Sequence, residues 1–219
     1  MKSQNIDQWI QGYDYNELLL TRNVLLAHLF DGNIPPGDVV RHASRFSLVT
    51  YWEELVCAAF YPQAGKLMAI VSIRQLDGYS GMLRRHGSME YVRFFVDWAD
   101  GNGYQAVGLS HFKVCDLLKE ENKQCYPLCH LVKIGLNTDR YWDAVIEGHH
   151  PTVRAVLSWN QVPEIDPEFT PIFGNRINSQ ISIDSEKELI SHFEVPQDKE
   201  IWDRERAPYS APHSFRTLI

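Results

Sequence analysis

At 219 residues and 25.3 kDa the chain suits one all-β domain with additions, or two small domains. Hydrophobic residues at 44% supply a real core, and a net charge of −7, from 21 basic and 28 acidic residues, argues against a nucleic-acid backbone as the main partner. No apolar run approaches the ~20 residues that span a membrane, and the opening MKSQNIDQWI lacks the apolar stretch of a signal peptide. A cytoplasmic chain is the expectation, with its four cysteines as thiols or metal ligands rather than disulfides.

Residues 1–48 read as a helical segment packed on the β-rich remainder of the chain. Asp14-Tyr15-Asn16-Glu17 is a capping-box pattern, and Leu18, Leu19, Val24, Leu25, Leu26, Leu29 and Phe30 recur at helical spacing. Asp31-Gly32 and Pro35-Pro36-Gly37 stop the helix, predicted over roughly 15–30. Val39 to His42 reads as a short second helix or a connector.

From about residue 49 the period changes to two. Leu55 to Phe60 and Leu67 to Ile73 form a hairpin signal, with Leu67, Ala69, Val71 and Ile73 on one face. Residues 75–88 are a glycine-bearing loop. The strongest strand signal is MEYVRFFVDWADGNGYQAVGLSHFKV, from Met89 to Val114, two strands around Asp100-Gly101-Asn102-Gly103. Val92, Phe94, Val96 and Trp98 alternate inward, and Tyr91, Arg93, Phe95 and Asp97 outward. The return strand changes parity between Leu109 and Phe112, which requires a bulge near Gly108 to Ser110. Leu128 to Leu136, Val153 to Trp159 and Ile177 to Ile183 supply three further strands, the last two separated by a proline-punctuated crossover. Seven strands with hairpins and long crossovers predict an all-β antiparallel, immunoglobulin-like sandwich over 49–184, with a closed barrel as the alternative. Residues 185–219 read as a short helix and an extended, anchor-bearing tail.

The motifs Gly78-Tyr79-Ser80-Gly81, Gly87 to Val92, Val107-Gly108-Leu109, Val153 to Asn160 and Pro171 to Asn175 together resemble a group of uncharacterised bacterial proteins that carry such a β-sandwich module. The resemblance covers about 49–184. It implies one continuous module and a bacterial source, and no activity. The chain departs from that pattern near Leu83, where the group has a cysteine.

Chemistry-bearing residues are sparse. Cys115, Cys125, Cys129 and His130 are the best metal candidates, since thiolate and imidazole suit zinc. Adjacent Cys129 and His130 point to opposite faces of a strand, however, and free cysteine is more often a small apolar side chain in or near the core. His149-His150, with Asp139 or Glu147 nearby, reads as a solvated loop. Asp97, Asp100 and Asn102 offer oxygens for calcium, but a tight turn explains them. Arg93 and Arg154 are expected to pair with Asp97 or Glu90 across strands. Trp98 and Trp159 belong to the core, while Trp142, Trp202, Tyr209 and Phe215 have no periodic home and are the interface candidates. The function expected is that of a non-enzymatic protein-binding adaptor or structural subunit, with a protein partner or self-association, no nucleic acid, no membrane and no cofactor. The alternatives are a small metal-dependent hydrolase using the loop histidines and cysteines, or a carbohydrate- or ligand-binding sandwich with Tyr79 and Trp142 presented on loops.

Overall fold

The computed structural model describes residues 12–30, 37–61, 64–79, 87–116, 128–137 and 151–181, all within the unit Met1–Ile183. Among the described residues two helices precede seven strands: α1 (Tyr15–Phe30), α2 (Gly37–Ala43), β1 (Glu53–Tyr61), β2 (Lys66–Ile73), β3 (Ser88–Asp97), β4 (Gln105–Val114), β5 (Leu128–Gly135), β6 (Thr152–Trp159) and β7 (Arg176–Gln180). These strands pair antiparallel with one another among the described residues, in one sheet of order β1-β2-β5 and another of order β4-β3-β6-β7. The fold is an all-β sandwich. Compared with the four-plus-three division of a constant-type immunoglobulin domain, β4 lies beside β3 instead of beside β5.

Alternation builds the core. Leu67, Ala69, Val71 and Ile73 from one sheet and Val92, Phe94, Val96, Val153, Ala155 and Leu157 from the other are all buried. Asn175 joins the layers at β1. Its Oδ1 accepts the Leu55 N–H at 2.7 Å and its Nδ2 donates to the Leu55 carbonyl at 3.0 Å. Those bonds occupy the backbone groups of an edge strand.

The predicted bulge lies at Val107, directly before the expected position: Phe94 pairs with Gly108 and Phe95 with Ala106. Gly108 has a steric reason, because a Cβ there would meet Ile134 Cδ1, from the other sheet, at 2.7 Å. A second bulge lies between Leu55 and Cys57 and leaves Val56 outward, 53% exposed.

The turn reading of the central hairpin fits the geometry. Asp100 Oδ1 accepts the Asn102 N–H at 3.0 Å, Asp97 Oδ1 accepts the Ala99 N–H at 2.9 Å, and Gly101 and Gly103 have positive φ.

Two expectations about the four-stranded sheet are corrected. Phe95, placed outward by alternation, is fully buried. The crossover after β6 runs over that outer face, tied by Arg93 Nε to the Pro163 carbonyl (2.8 Å) and by Arg154 and Arg176 to the Pro167 carbonyl (3.1 and 3.2 Å). These are also the partners that Arg93 and Arg154 take in place of Asp97 or Glu90. Arg154 further bonds Asn178 and Glu168 and lies over the Tyr104 ring. No helix among the described residues is long and apolar enough to cross a membrane.

Candidate functional site

Helix α1 starts as its sequence dictates. Asp14 Oδ1 accepts the Glu17 N–H at 2.9 Å, an N-cap. The return half of the capping box is diverted, because Glu17 Oε1 instead lies 3.4 Å from His42 Nε2 on α2. The buried stripe of α1 is Leu18, Arg22 and Leu26, at i, i+4 and i+8, with exposures of 0, 0 and 1%. A cation therefore sits in the middle of an apolar stripe, aimed at the sandwich.

Arg22 enters a cage at one end of the two sheets. Its Nη1 and Nη2 donate to Glu53 Oε1 and Oε2 at 3.0 and 2.9 Å, a bidentate pair, and its Nε donates to the Gly78 carbonyl at 2.9 Å. Four rings surround the guanidinium carbon: Trp159 at 4.0 Å, Trp52 at 4.6 Å, Phe173 at 5.0 Å and Tyr79 at 5.2 Å. Trp52 and Trp159 each meet Phe173 edge-on. The Tyr79 hydroxyl donates to the Trp52 carbonyl at 2.6 Å, and the Tyr79 N–H donates to Asp116 at 2.8 Å. Gly78 permits the approach, since a Cβ there would meet the Trp52 Nε1 at 2.6 Å.

A second carboxyl lies in the same interior. Glu90 on β3, paired in register with Trp159 of β6, is 0% exposed, and neither carboxyl oxygen has a hydrogen-bond partner among the described residues. The Ser88 hydroxyl and the Trp159 indole N–H, both buried, are likewise without one. Burial pushes Glu90 well above the ordinary carboxylate range, and the Glu53 charge pushes it further, against an opposing pull from Arg22. Burial also raises Glu53, with Arg22 pulling back. Glu53 is held by both guanidinium nitrogens of Arg22, whereas Glu90 has no such bond and is biased more strongly toward its protonated form. Tyr79 is raised well above the usual phenol range by burial and then by Glu53, so its hydroxyl stays a donor.

The cluster clamps α1 to both sheets. Its charges are desolvated, a cost that the bidentate bond and the cation–π contacts offset.

The other candidates named from the sequence scatter. Cys57, Cys115 and Cys129 are exposed, which corrects the expectation of small side chains in or near the core. Cys129 does face away from His130, whose imidazole stacks on Phe112 at 4.3 Å. No group of three or more His, Cys, Asp or Glu capable of holding a metal occurs among the described residues. Cys125, Asp139, Trp142, Glu147, His149, His150, Trp202, Tyr209 and Phe215 lie outside the described residues. Tyr79, expected on a ligand-presenting loop, is fully buried in the cage.

The cage residues carry signals in the sequence that periodicity alone does not flag. Arg22 falls at helical spacing between Leu18 and Leu26, Glu53 shares parity with Leu55, and Glu90 shares parity with Val92. Three of the motif stretches, around Gly78-Tyr79, Ser88 to Glu90 and Trp159, meet here, together with Phe173 of a fourth.

No protein-family model matches the chain, and no curated protein does. Among solved structures, the chain is similar to superoxide reductase (neelaredoxin) from Archaeoglobus fulgidus, with a TM-score of 0.31 and 9% identity, over 61% of this chain and 92% of that one. It is also similar to a β-glucosidase from Kluyveromyces marxianus, with a TM-score of 0.28 and 9% identity, over 59% of this chain and 13% of that one.

Proposed function

We propose that the chain is a non-enzymatic protein-binding adaptor or structural subunit of a bacterial, cytoplasmic multiprotein assembly, and that it binds through the outer face of the three-stranded sheet. One observation carries this reading. Register places Cys57, Ile70 and Leu131 side by side across β1, β2 and β5, with Ala59, Met68 and Lys133 in the next row. Leu131 is 60% exposed, and the β1 bulge turns Val56 outward on the far side of β2 from it. The outer face of the four-stranded sheet is partly covered by the crossover, which buries Phe95.

The surroundings fit a recognition surface. Toward one end of the face lies the Arg74–Glu54 ion pair, and toward the other lie Lys66 and Lys133. An apolar centre with a charged rim is the usual anatomy of a protein interface. Leaving that centre in water costs about 25 cal/mol per Å² of apolar surface, which a partner or a second copy recovers. The strand order fits an immunoglobulin-like sandwich in which β4 has moved from one sheet to the other.

The test compares wild type with Leu131→Lys by co-purification and by light scattering. Ile165→Lys is the control, because Ile165 is 75% exposed on the crossover, away from this face. Loss of a specific partner or of self-association in the first variant alone supports the proposal. Equal behaviour of all three proteins rejects it.

A further inference from the structure

We propose that α1 is a proton-operated latch, closed over the end of the sandwich while Glu90 is protonated and lifted when Glu90 ionises. The cluster beneath the helix holds one cation and two carboxyls. Arg22, at the centre of the buried stripe, gives both Nη atoms to Glu53 and its Nε to the Gly78 carbonyl. Glu90 shares that interior at 0% exposure, and neither of its carboxyl oxygens has a hydrogen-bond partner among the described residues. Its register neighbours, Phe112 on β4 and Trp159 on β6, bring no charge. With Glu90 protonated, the Arg22 and Glu53 charges cancel. Ionised, Glu90 adds a second negative charge in a place where nothing solvates it. A buried charge of that kind is relieved by letting water in.

The helix is the wall that can yield. Glu53, Glu90 and Trp159 stand on β1, β3 and β6, which are held in sheet ladders. Helix α1 rests on the sandwich through its side chains. Its middle is tied by the three Arg22 bonds between the buried Leu18 and Leu26, and its first turn by Tyr15, which packs on the rings of Tyr51 and Trp52 at 5.2 and 6.5 Å. Closure also buries Thr21, 4% exposed, whose hydroxyl has no partner among the described residues. Lifting α1 returns Thr21 and Arg22 to water and opens a route to Glu90. Docked elements that bury unpaired polar groups open below the free energy of global unfolding.

The groups that face Glu90 set the sign. Burial raises its pKa, the Glu53 charge on β1 raises it further, and Arg22 on α1 opposes them. Tyr79, in the loop after β2, is raised well above the usual phenol range and stays protonated. His130 of β5 stacks on Phe112 and is held below the usual imidazole range by burial. With the latch open, Glu90 meets water and titrates as an ordinary carboxylate. The closed state is therefore favoured in acid and loses ground as pH rises toward the elevated value. Between the two values each opening releases one proton, so the open population grows up to tenfold per pH unit.

The experiment measures amide hydrogen exchange of the full chain by NMR from about pH 6 to 9, as protection factors corrected for intrinsic exchange, in wild type and Glu90→Gln. Amides of Arg22 to Leu26 report the latch, and those of Val156 and Leu157 on β6 report the sandwich. In wild type the α1 protection factors are expected to fall by up to tenfold per pH unit and to stay below those of β6. In Glu90→Gln, which keeps every other titrating group, they are expected to change by less than about threefold over the same range. If Glu90→Gln fails to fold, the wild-type comparison of α1 with β6 decides alone. Wild-type α1 protection that does not vary with pH overturns the proposal. So does the same pH dependence in Glu90→Gln, or α1 and β6 amides falling together to one value, which would be global unfolding.

Discussion

Arg22 on α1 and Glu53 at the start of β1 form a bidentate ion pair, 3.0 and 2.9 Å long, with both side chains at 0% exposure. The pair ties the N-terminal helix to the sandwich. Removing one member of such a pair leaves a buried charge uncompensated. Arg22→Met is therefore expected to destabilise the protein by about 3–5 kcal/mol in urea unfolding. Pairing it with Glu53→Gln removes the stranded carboxylate, so the double variant is expected to be more stable than Arg22→Met alone.

Glu90 gives the stability of this fold a pH dependence of unusual sign. Its folded pKa is raised by burial and by Glu53, so the folded state favours the protonated form. Its contribution is fully present only below the ordinary carboxylate range. It is lost as pH rises from there through the elevated folded value. Glu90→Gln keeps the shape and cannot ionise. The variant is expected to gain in Tm relative to wild type as pH rises above the ordinary carboxylate range, with the two converging in acid. A constant offset at all pH values would mean that Glu90 does not titrate there.

Much of the fold is legible in the sequence because period and turn chemistry are local. The hairpin glycines, the helix cap at Asp14 and the inward sets of β2, β3 and β6 all follow from spacing. The cage does not. Arg22, Glu53 and Glu90 sit at inward positions, where a charge reads as a break in the pattern until its partner is known. That partner lies 31 residues away for Arg22 and Glu53. Phe95 misleads for the opposite reason: alternation assigns a face, and only the crossover, through Arg93 and Pro163, decides whether that face meets water.

Asn175 tests the connection between the sheets. Its amide satisfies both backbone groups of Leu55. Asn175→Ala leaves a half-buried donor and acceptor unmade, for a loss of about 2 kcal/mol in urea unfolding. Faster hydrogen exchange at the Leu55 amide is the local readout, and unchanged protection there would contradict the clip.

Gly174 and Gly101 separate steric from conformational demand. Gly174 has φ +112°, and a Cβ there would strike the Leu157 backbone carbonyl, whereas Gly101 has φ +83° and open space. Gly101→Ala is expected to cost about 1–2 kcal/mol, the left-handed strain alone. Gly174→Ala is expected to cost more, because the backbone must also move. Equal losses on thermal unfolding would show that the crossover yields at Gly174.

The proposed binding face is tested most directly by solution mass and co-purification of wild type beside Leu131→Lys. Wild type is expected to carry a specific partner or to self-associate. Leu131→Lys is expected to lose this while keeping its Tm, and Ile165→Lys to retain it. A wild-type chain that is monomeric and partner-free under all conditions, or a Leu131→Lys variant that keeps every association, would contradict a binding role for this face.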